Sequence, residues 1–183
     1  MYISRHLAFV GALALVGLMT STARATVPVS LDVDYVTPVD SGPASDGFGA
    51  QLHFGPRVEL GILQWTGEVG LGLHGFSEGP TVFRGVIGSR LGFGALVRPT
   101  IYGHLGVGHA NWSVQDDLTH LTLDVGGALD LQLAPAFELG AHLGYNFIFG
   151  NGTIDPFGFL AIGGHFTVIL DGHAHTHDHD DDD

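Results

Sequence analysis

The stretch "WTGEVGLGLHGF", residues 65–76, decides the fold. One parity carries the apolar side chains, which are Trp65, Val69, Leu71 and Leu73. The other parity carries Thr66, Glu68 and His74, and glycine fills most of the remaining places. A period of two is the pattern of a β-strand, because successive side chains of a strand point to opposite faces. The stretch therefore predicts a strand with one apolar face and one polar face.

Composition narrows the class of protein. The chain has 183 residues, 45% of them hydrophobic, which is typical of one folded domain. It has 19 acidic residues and six basic ones, and all six basic residues are arginine, so the formal net charge is −13. We therefore expect no nucleic acid among its partners. The absence of cysteine excludes disulfides, thiol catalysis and thiolate metal sites.

The N-terminus predicts export. Arg5 precedes an apolar run over residues 7–19, and Ala23 and Ala25 have the A-x-A spacing that signal peptidase recognises. A membrane anchor helix is the alternative, but such a helix needs about 20 apolar residues and this run has about 13. Residues 1–25 are therefore predicted to be a signal peptide that is cleaved after Ala25.

The period of two recurs along the rest of the chain and predicts eight strands. Their ranges are 27–36, 47–60, 64–76, 81–95, 100–113, 119–133, 136–149 and 156–170. The connections alternate between polar segments such as "VTPVDSGPASD" and short ones such as "AP". No helix pattern interrupts the series, so neighbouring strands are expected to pair antiparallel.

Three features favour lipid, rather than water, on the apolar face. The predicted strands have roughly 10 to 14 residues, which suits a tilted crossing of a bilayer. A solvated face usually carries lysine, and this chain has none. Outward aromatic residues gather at both strand ends like two interfacial girdles, with Tyr35, Phe48, Phe83 and Phe149 on the long-connection side and Trp65, Phe93 and Phe137 on the other. We therefore predict an all-β fold, an eight-stranded antiparallel up-and-down transmembrane β-barrel over residues 26–170.

In strand count, pattern and loop asymmetry, residues 27–170 resemble the small eight-stranded outer-membrane barrels of Gram-negative bacteria, the OmpA/OmpX-like superfamily. The resemblance implies a monomer in outer-membrane lipid with both termini in the periplasm. It also implies that the barrel-insertion machinery recognises the final strand, where Gly163, Phe166 and Val168 have suitable spacing. The chain departs from the family where Leu170 is followed by a polar tail. A parity break between Phe159 and Leu160 indicates either a β-bulge or an undetermined register in the last strand.

The interior is predicted to hold a charge cluster of Arg57, Glu68, Arg84, Arg90 and His74. Hairpin arithmetic places Arg57 and Arg90 opposite Glu68, and Arg84 opposite His74, so two arginines would clamp Glu68. Separate charges solvated by water in the lumen are the alternative. An eight-stranded barrel is just wide enough for side chains to fill, so a broad pore is not expected.

Residues 171–183, "DGHAHTHDHDDDD", are predicted to form a disordered His/Asp-rich tail in the periplasm. Its candidate metal ligands are His173, His175, His177, His179 and Asp178. Neutral imidazole suits Zn²⁺, Ni²⁺ and Cu²⁺, and the neighbouring carboxylates attract cations. A solvated acidic tail without a metal role, or an appended tag, is the alternative.

The function expected from the sequence is a structural, surface-interaction or minor solute role in the outer membrane, with no catalytic residues and no required cofactor. Two alternatives remain. His109, Asn111 and Ser113 share the lipid-facing parity near one rim, and we interpret them as a polar strand end that enters a loop. A lipid-modifying barrel enzyme is the alternative interpretation, although no outward carboxylate accompanies them. A secreted soluble barrel that binds an apolar ligand is the other. The "GLGLHG" match to a dinucleotide motif lies within a strand and is discounted.

Overall fold

The regular elements of the computed structural model are all strands within the described residues, which are 24–39, 44–112, 116–150, 152 and 155–171. They are β1 (Arg24–Pro38), β2 (Gly47–Phe54), β3 (Arg57–Leu60), β4 (Leu63–Phe76), β5 (Thr81–Phe93), β6 (Val97–Asn111), β7 (Leu118–Ala134), β8 (Phe137–Ile148) and β9 (Phe157–Asp171). In this part of the chain no helix is long and apolar enough to cross a bilayer. The predicted signal peptide up to residue 23 and the tail from residue 172 lie outside the described residues.

The strands form one closed antiparallel barrel. From β4 to β9 each strand pairs with the next, and β9 returns to pair with β1. β2 and β3 are two halves of one barrel strand, because both pair with β1 and with β4 in an unchanged register. Pro56 separates them because it has no N–H to donate, although its carbonyl still accepts a hydrogen bond from Gly67 N at 2.9 Å. The predicted eight-stranded up-and-down barrel is therefore confirmed.

The two faces of the barrel are polar inside and apolar outside. Large apolar side chains are exposed on the outer face, as in Leu71 (62%), Ile87 (66%) and Ile101 (65%). Among the described residues, the inner face buries ten charged side chains, Asp32, Asp34, Arg57, Glu68, Arg84, Arg90, Arg98, Asp124, Asp130 and Glu138. In the stretch of residues 65–76, Leu71 faces outward, and Glu68 and His74 are buried in the interior.

The two ends of the barrel differ. We call the end with connections 39–46, 77–80, 112–117 and 149–156 the loop end, and the end with connections 61–62, 94–96 and 135–136 the turn end. At the loop end the interior is filled by an apolar plug of Val36, Phe76, Val82, Ala110, Leu118, Ile148, Phe157, Phe159 and Ala161. Charged side chains fill the rest of the interior.

The predicted bulge near Phe159 is wrong. β9 pairs with β1 and with β8 in an unbroken register. The parity break has another cause, because Phe157 and Phe159 point into the apolar plug while Leu160 is partly exposed, so both faces are apolar here. The register shift that does occur lies in β7, between Gln132 and Ala134, beside a short turn.

β1 begins at Arg24, before the expected cleavage site, and Ala25 pairs with Val58. Cleavage after Ala25 would leave Thr26, which pairs with both Arg57 and Asp171, as the first paired residue of the strand. Signal-peptide cleavage stays a prediction.

Candidate functional site

A turn-end cluster of Arg57, Arg98 and Glu138 closes the polar interior near the short turns. Glu138, near the start of β8, accepts two hydrogen bonds from Arg57, from Nη1 to Oε1 and from Nη2 to Oε2, each at 2.9 Å. Arg98, near the start of β6, donates a hydrogen bond from Nη1 to Oε1 at 2.8 Å. All three side chains are buried, so one carboxylate holds two guanidinium groups away from water.

The predicted pairing of Arg57 with Glu68 is wrong. Arg57 lies opposite Thr66, because Leu60 pairs with Leu63 and the turn consists of residues 61 and 62. Gly61 supplies the turn with a positive φ of 64°, a conformation that glycine adopts without strain. The prediction placed the centre of the turn one residue later, which moved every cross-strand partner by two residues.

The same shift affects the next hairpin. Glu68 lies opposite Gly88, and Gly72 lies opposite Arg84, so the predicted cross-strand pairs Glu68 with Arg90 and His74 with Arg84 are wrong. Arg84 Nη2 instead donates a hydrogen bond to Gln51 Oε1 at 2.6 Å and lies 3.7 Å from Asp124 Oδ2. Gly75 and Thr81 are the last pair before the loop, so the centre of the loop lies one residue earlier than the arithmetic assumed.

Glu68 nevertheless has two partners inside the barrel, a guanidinium group and an imidazole. Arg90 Nε lies 3.0 Å from Oε1 in a diagonal ion pair, and His104 Nε2 lies 2.8 Å from Oε2. His104 Nδ1 lies 3.3 Å from Asp124 Oδ2, so this imidazole bridges two carboxylates. The partner that sequence reasoning missed is His104, whose inward parity was visible but whose position two strands away was not.

A second chain of acid and imidazole groups runs across the barrel. Asp34 Oδ1 lies 2.6 Å from His142 Nε2, and Asp34 Oδ2 lies 3.4 Å from His74 Nε2. His142 Nδ1 lies 3.4 Å from His165 Nδ1, and His165 Nε2 lies 2.8 Å from Asp130 Oδ1. The five predicted cluster residues are thus all buried, and Arg57 alone among them belongs to the turn-end cluster. The other four are joined in one network. Arg84 contacts Gln51, which donates Nε2 to Asp34, the partner of His74. Arg84 also contacts Asp124, which His104 connects to Glu68 and its partner Arg90.

One group of side chains has donor atoms close enough together to hold a metal ion. Within the described part of the chain these are His53, Glu68 and His104, whose candidate ligand atoms lie within 4.8 Å of one another. The tail residues proposed as ligands from the sequence, His173, His175, His177, His179 and Asp178, lie outside the described residues.

The outward polar residues near the loop end form hydrogen bonds with neighbouring segments. His109 Nδ1 lies 2.7 Å from the Thr119 hydroxyl, and Asn111 donates Nδ2 to Asp117 Oδ2 at 3.2 Å. Ser113, the third member of the suggested enzyme motif, lies outside the described residues.

Solved structures of small barrels share this architecture. Neisserial surface protein A (NspA) has a TM-score of 0.57 and 16% sequence identity, covering 81% of this chain and 99% of that one. Ail, the attachment invasion locus protein of Yersinia pestis, has a TM-score of 0.48 and 17% identity over 80% and 99% of the two chains. The N-terminal barrel domain of Pseudomonas aeruginosa OprF has a TM-score of 0.48 and 14% identity over 80% and 99%. Neither a protein-family model nor a curated protein matches the sequence. The similarity to NspA shows that the chain has the fold of the eight-stranded outer-membrane β-barrels that its sequence resembles.

Proposed function

We propose that this protein is an integral outer-membrane β-barrel of the Gram-negative envelope with a structural or surface-interaction role. The observation that carries the proposal is the inverted distribution of polarity, with ten charged side chains buried inside and Leu71, Ile87, Ile101 and other large apolar residues exposed outside. An exposed apolar belt of this extent on a closed barrel is stable only in contact with lipid.

A closed interior favours interaction or structure over solute passage. The apolar plug fills the loop end, and Arg57, Arg98 and Glu138 cross the turn end. The loops and the outer surface are then the parts that contact other molecules. NspA is by name a surface protein, which agrees with display at the cell surface.

The architecture argues against a soluble barrel that binds an apolar ligand. Such a barrel needs an apolar cavity inside and a hydrated surface outside. Here Glu68, Arg84 and Asp124 are among the side chains inside, and the outside is apolar.

Fractionation of cells tests the proposal directly. We expect the protein in the outer-membrane fraction, as a monomer whose migration in detergent gels changes on boiling. Membrane lipid and the barrel-insertion machinery are the proposed partners, and nucleic acid is not. Recovery of the protein from the soluble periplasm or the medium, with no change of migration on boiling, would contradict the proposal.

The tail supports a second, separate role in metal capture. His173, His175, His177 and His179 alternate along an acidic segment, so two or more imidazoles can reach one ion. We propose that the tail binds Zn²⁺, Ni²⁺ or Cu²⁺, and that the barrel needs no cofactor to perform its envelope role. Calorimetry with Zn²⁺ compares the full chain with a full-length variant in which these four histidines are alanine. Equal heats from the two proteins would remove the tail from the proposal.

A further inference from the structure

We propose that the interior of the barrel contains a binding site for one divalent transition-metal ion, formed by His53, Glu68 and His104. The site is independent of the envelope role and of the tail. Its three candidate ligand atoms lie within 4.8 Å of one another, and all three side chains are buried. Two imidazoles and one carboxylate are a frequent zinc-binding set that leaves a fourth position open.

Two glycines allow the three side chains to converge. His53 lies opposite Gly70, where an added Cβ would come within 2.6 Å of the imidazole Nδ1. Gly88 lies between Glu68 and His104, and a Cβ there would approach the His104 ring to 2.6 Å and the Gly103 carbonyl oxygen to 2.1 Å. A side chain at either glycine position would therefore collide with one of the two imidazoles.

A hydrogen-bonded carboxylate orients His104 for an ion, and a second carboxylate lies near His53. Asp124 Oδ2 lies 3.3 Å from His104 Nδ1, which leaves His104 Nε2 directed at Glu68. Asp32 Oδ2 lies 3.7 Å from His53 Nε2. The remaining nitrogen, His53 Nδ1, is buried and has no hydrogen-bond partner among the described residues. A carboxylate behind a metal-binding imidazole fixes its tautomer and raises its basicity.

The buried ionisable side chains carry a net negative charge that a divalent cation would balance. The interior holds six carboxylates, Asp32, Asp34, Glu68, Asp124, Asp130 and Glu138, and four guanidinium groups, Arg57, Arg84, Arg90 and Arg98. With neutral histidines these described groups carry two excess negative charges, which one divalent ion would balance. Arg90 contacts Oε1 of Glu68, whereas Oε2 faces His104 Nε2 at 2.8 Å, a contact that an ion bound to both atoms would replace.

A small cavity adjoins the site on its turn-end side. Its volume is about 10 Å³, which is the room that one water molecule or ion requires. Its lining includes His53, Glu68 and Arg90 as well as Arg57 and Glu138 of the turn-end cluster. The cavity therefore separates the site from the turn-end cluster.

The test uses a full-length variant in which His173, His175, His177 and His179 are alanine, so that the tail contributes no ligands. This protein is refolded with Zn²⁺ present, freed of loose metal and assayed for bound zinc. We expect one Zn²⁺ per barrel. Adding His53→Gln is expected to weaken binding at least tenfold, whereas adding His74→Gln, a buried histidine outside the site, should leave it unchanged. No bound zinc in the tail variant, or equal zinc with and without His53→Gln, would overturn the proposal.

Co²⁺ gives a measurement that does not depend on folding of the His53 variant. In the tail variant, we expect the strong visible absorption of a four- or five-coordinate ion with nitrogen ligands. A weak octahedral spectrum would instead show that Co²⁺ is held by water and surface carboxylates, and the proposal would fail. Retention of metal by the full chain but not by the tail variant would support the tail alone and would also overturn the interior site.

Discussion

Arg57 on β3 and Glu138 on β8 are 81 residues apart in sequence and form two parallel hydrogen bonds of 2.9 Å inside the barrel. Arg98 adds a third bond to the same carboxylate, at 2.8 Å. No two of these residues lie on neighbouring strands, so the contact exists only because the sheet closes on itself. The cluster therefore ties together three parts of the barrel wall across its turn end.

Glu138→Gln should strongly destabilise the barrel. The substitution leaves two buried guanidinium groups without their counter-charge, and breaking a buried ion pair typically costs about 3–5 kcal/mol. Denaturant unfolding in lipid vesicles measures the change in the free energy of unfolding. Glu59→Gln, the same chemical change on a half-buried residue two positions from Arg57, is the control and should have little effect. Equal stability of the two variants would show that the cluster is solvated.

A double-mutant cycle should distinguish the observed partner of Arg57 from the one suggested by hairpin arithmetic. Coupling between Arg57→Ala and Glu138→Ala is expected at the upper part of the usual range for contacting residues, about 0.5–3 kcal/mol. Coupling between Arg57→Ala and Glu68→Ala should be clearly smaller, because Glu68 has Arg90 and His104 as its partners. A larger coupling energy with Glu68→Ala than with Glu138→Ala would instead support the pairing of Arg57 with Glu68.

Planar bilayer recordings should show no conductance or only very small steps. An ion that enters from the loop end meets Phe159, which is completely buried in the apolar plug. An ion that enters from the turn end meets the Arg57–Glu138 pair. Large, stable conductance steps from the purified protein would contradict a closed interior.

Phe159→Ala should destabilise the barrel as a core substitution does. Truncation of a fully buried phenylalanine typically costs about 3–5 kcal/mol, because a cavity remains. The matched control is Phe83→Ala, since Phe83 is 51% exposed on the outer face and lipid can fill the space that its ring leaves. Thermal unfolding followed by gel migration compares the two, and a larger loss for Phe83→Ala would contradict the assignment of the inner and outer faces.

An arginine on the outer face should report the depth of the bilayer. Leu105 and Val97 both lie outward on β6, Leu105 near its middle and Val97 at its turn end. Arginine at the midplane of a membrane barrel costs about 2–4 kcal/mol and near the interface about 0–1 kcal/mol. Leu105→Arg should therefore destabilise the vesicle-inserted barrel far more than Val97→Arg. Equal costs would indicate that water, not lipid, surrounds the barrel.

The fold was readable from the sequence because the pleat of a strand fixes the side-chain period at two. Leu71 and Glu68 fall on opposite parities, and the structure places them on opposite faces. That inference needs no knowledge of which strand lies beside which. The partners of the charged residues do need it, since a turn displaced by one residue, as at Gly61, moves every opposite residue by two.

Contacts across the lumen could not be predicted from the sequence for a further reason. His53 and His104 stand on strands that are not neighbours, and Glu138 meets Arg57 from the far wall. Such pairs depend on how far the strands slide past one another as the barrel closes, a quantity that hairpins do not reveal. Glu138 and His104 could have been recognised from the sequence as interior residues, because both have inward parity. Arg98 gave no such signal, because the sequence placed it in a connection and the structure places it in β6.

The pairing of β1 with β9 also determines when the barrel can form. Thr26 pairs with Asp171 and Pro38 with Phe159, so this seam joins segments more than a hundred residues apart. Contacts between such distant segments make folding slow, because a long loop must close before any bond forms. The barrel wall of the nascent chain therefore cannot close until its last strand has been synthesised, however early the hairpins between neighbouring strands form.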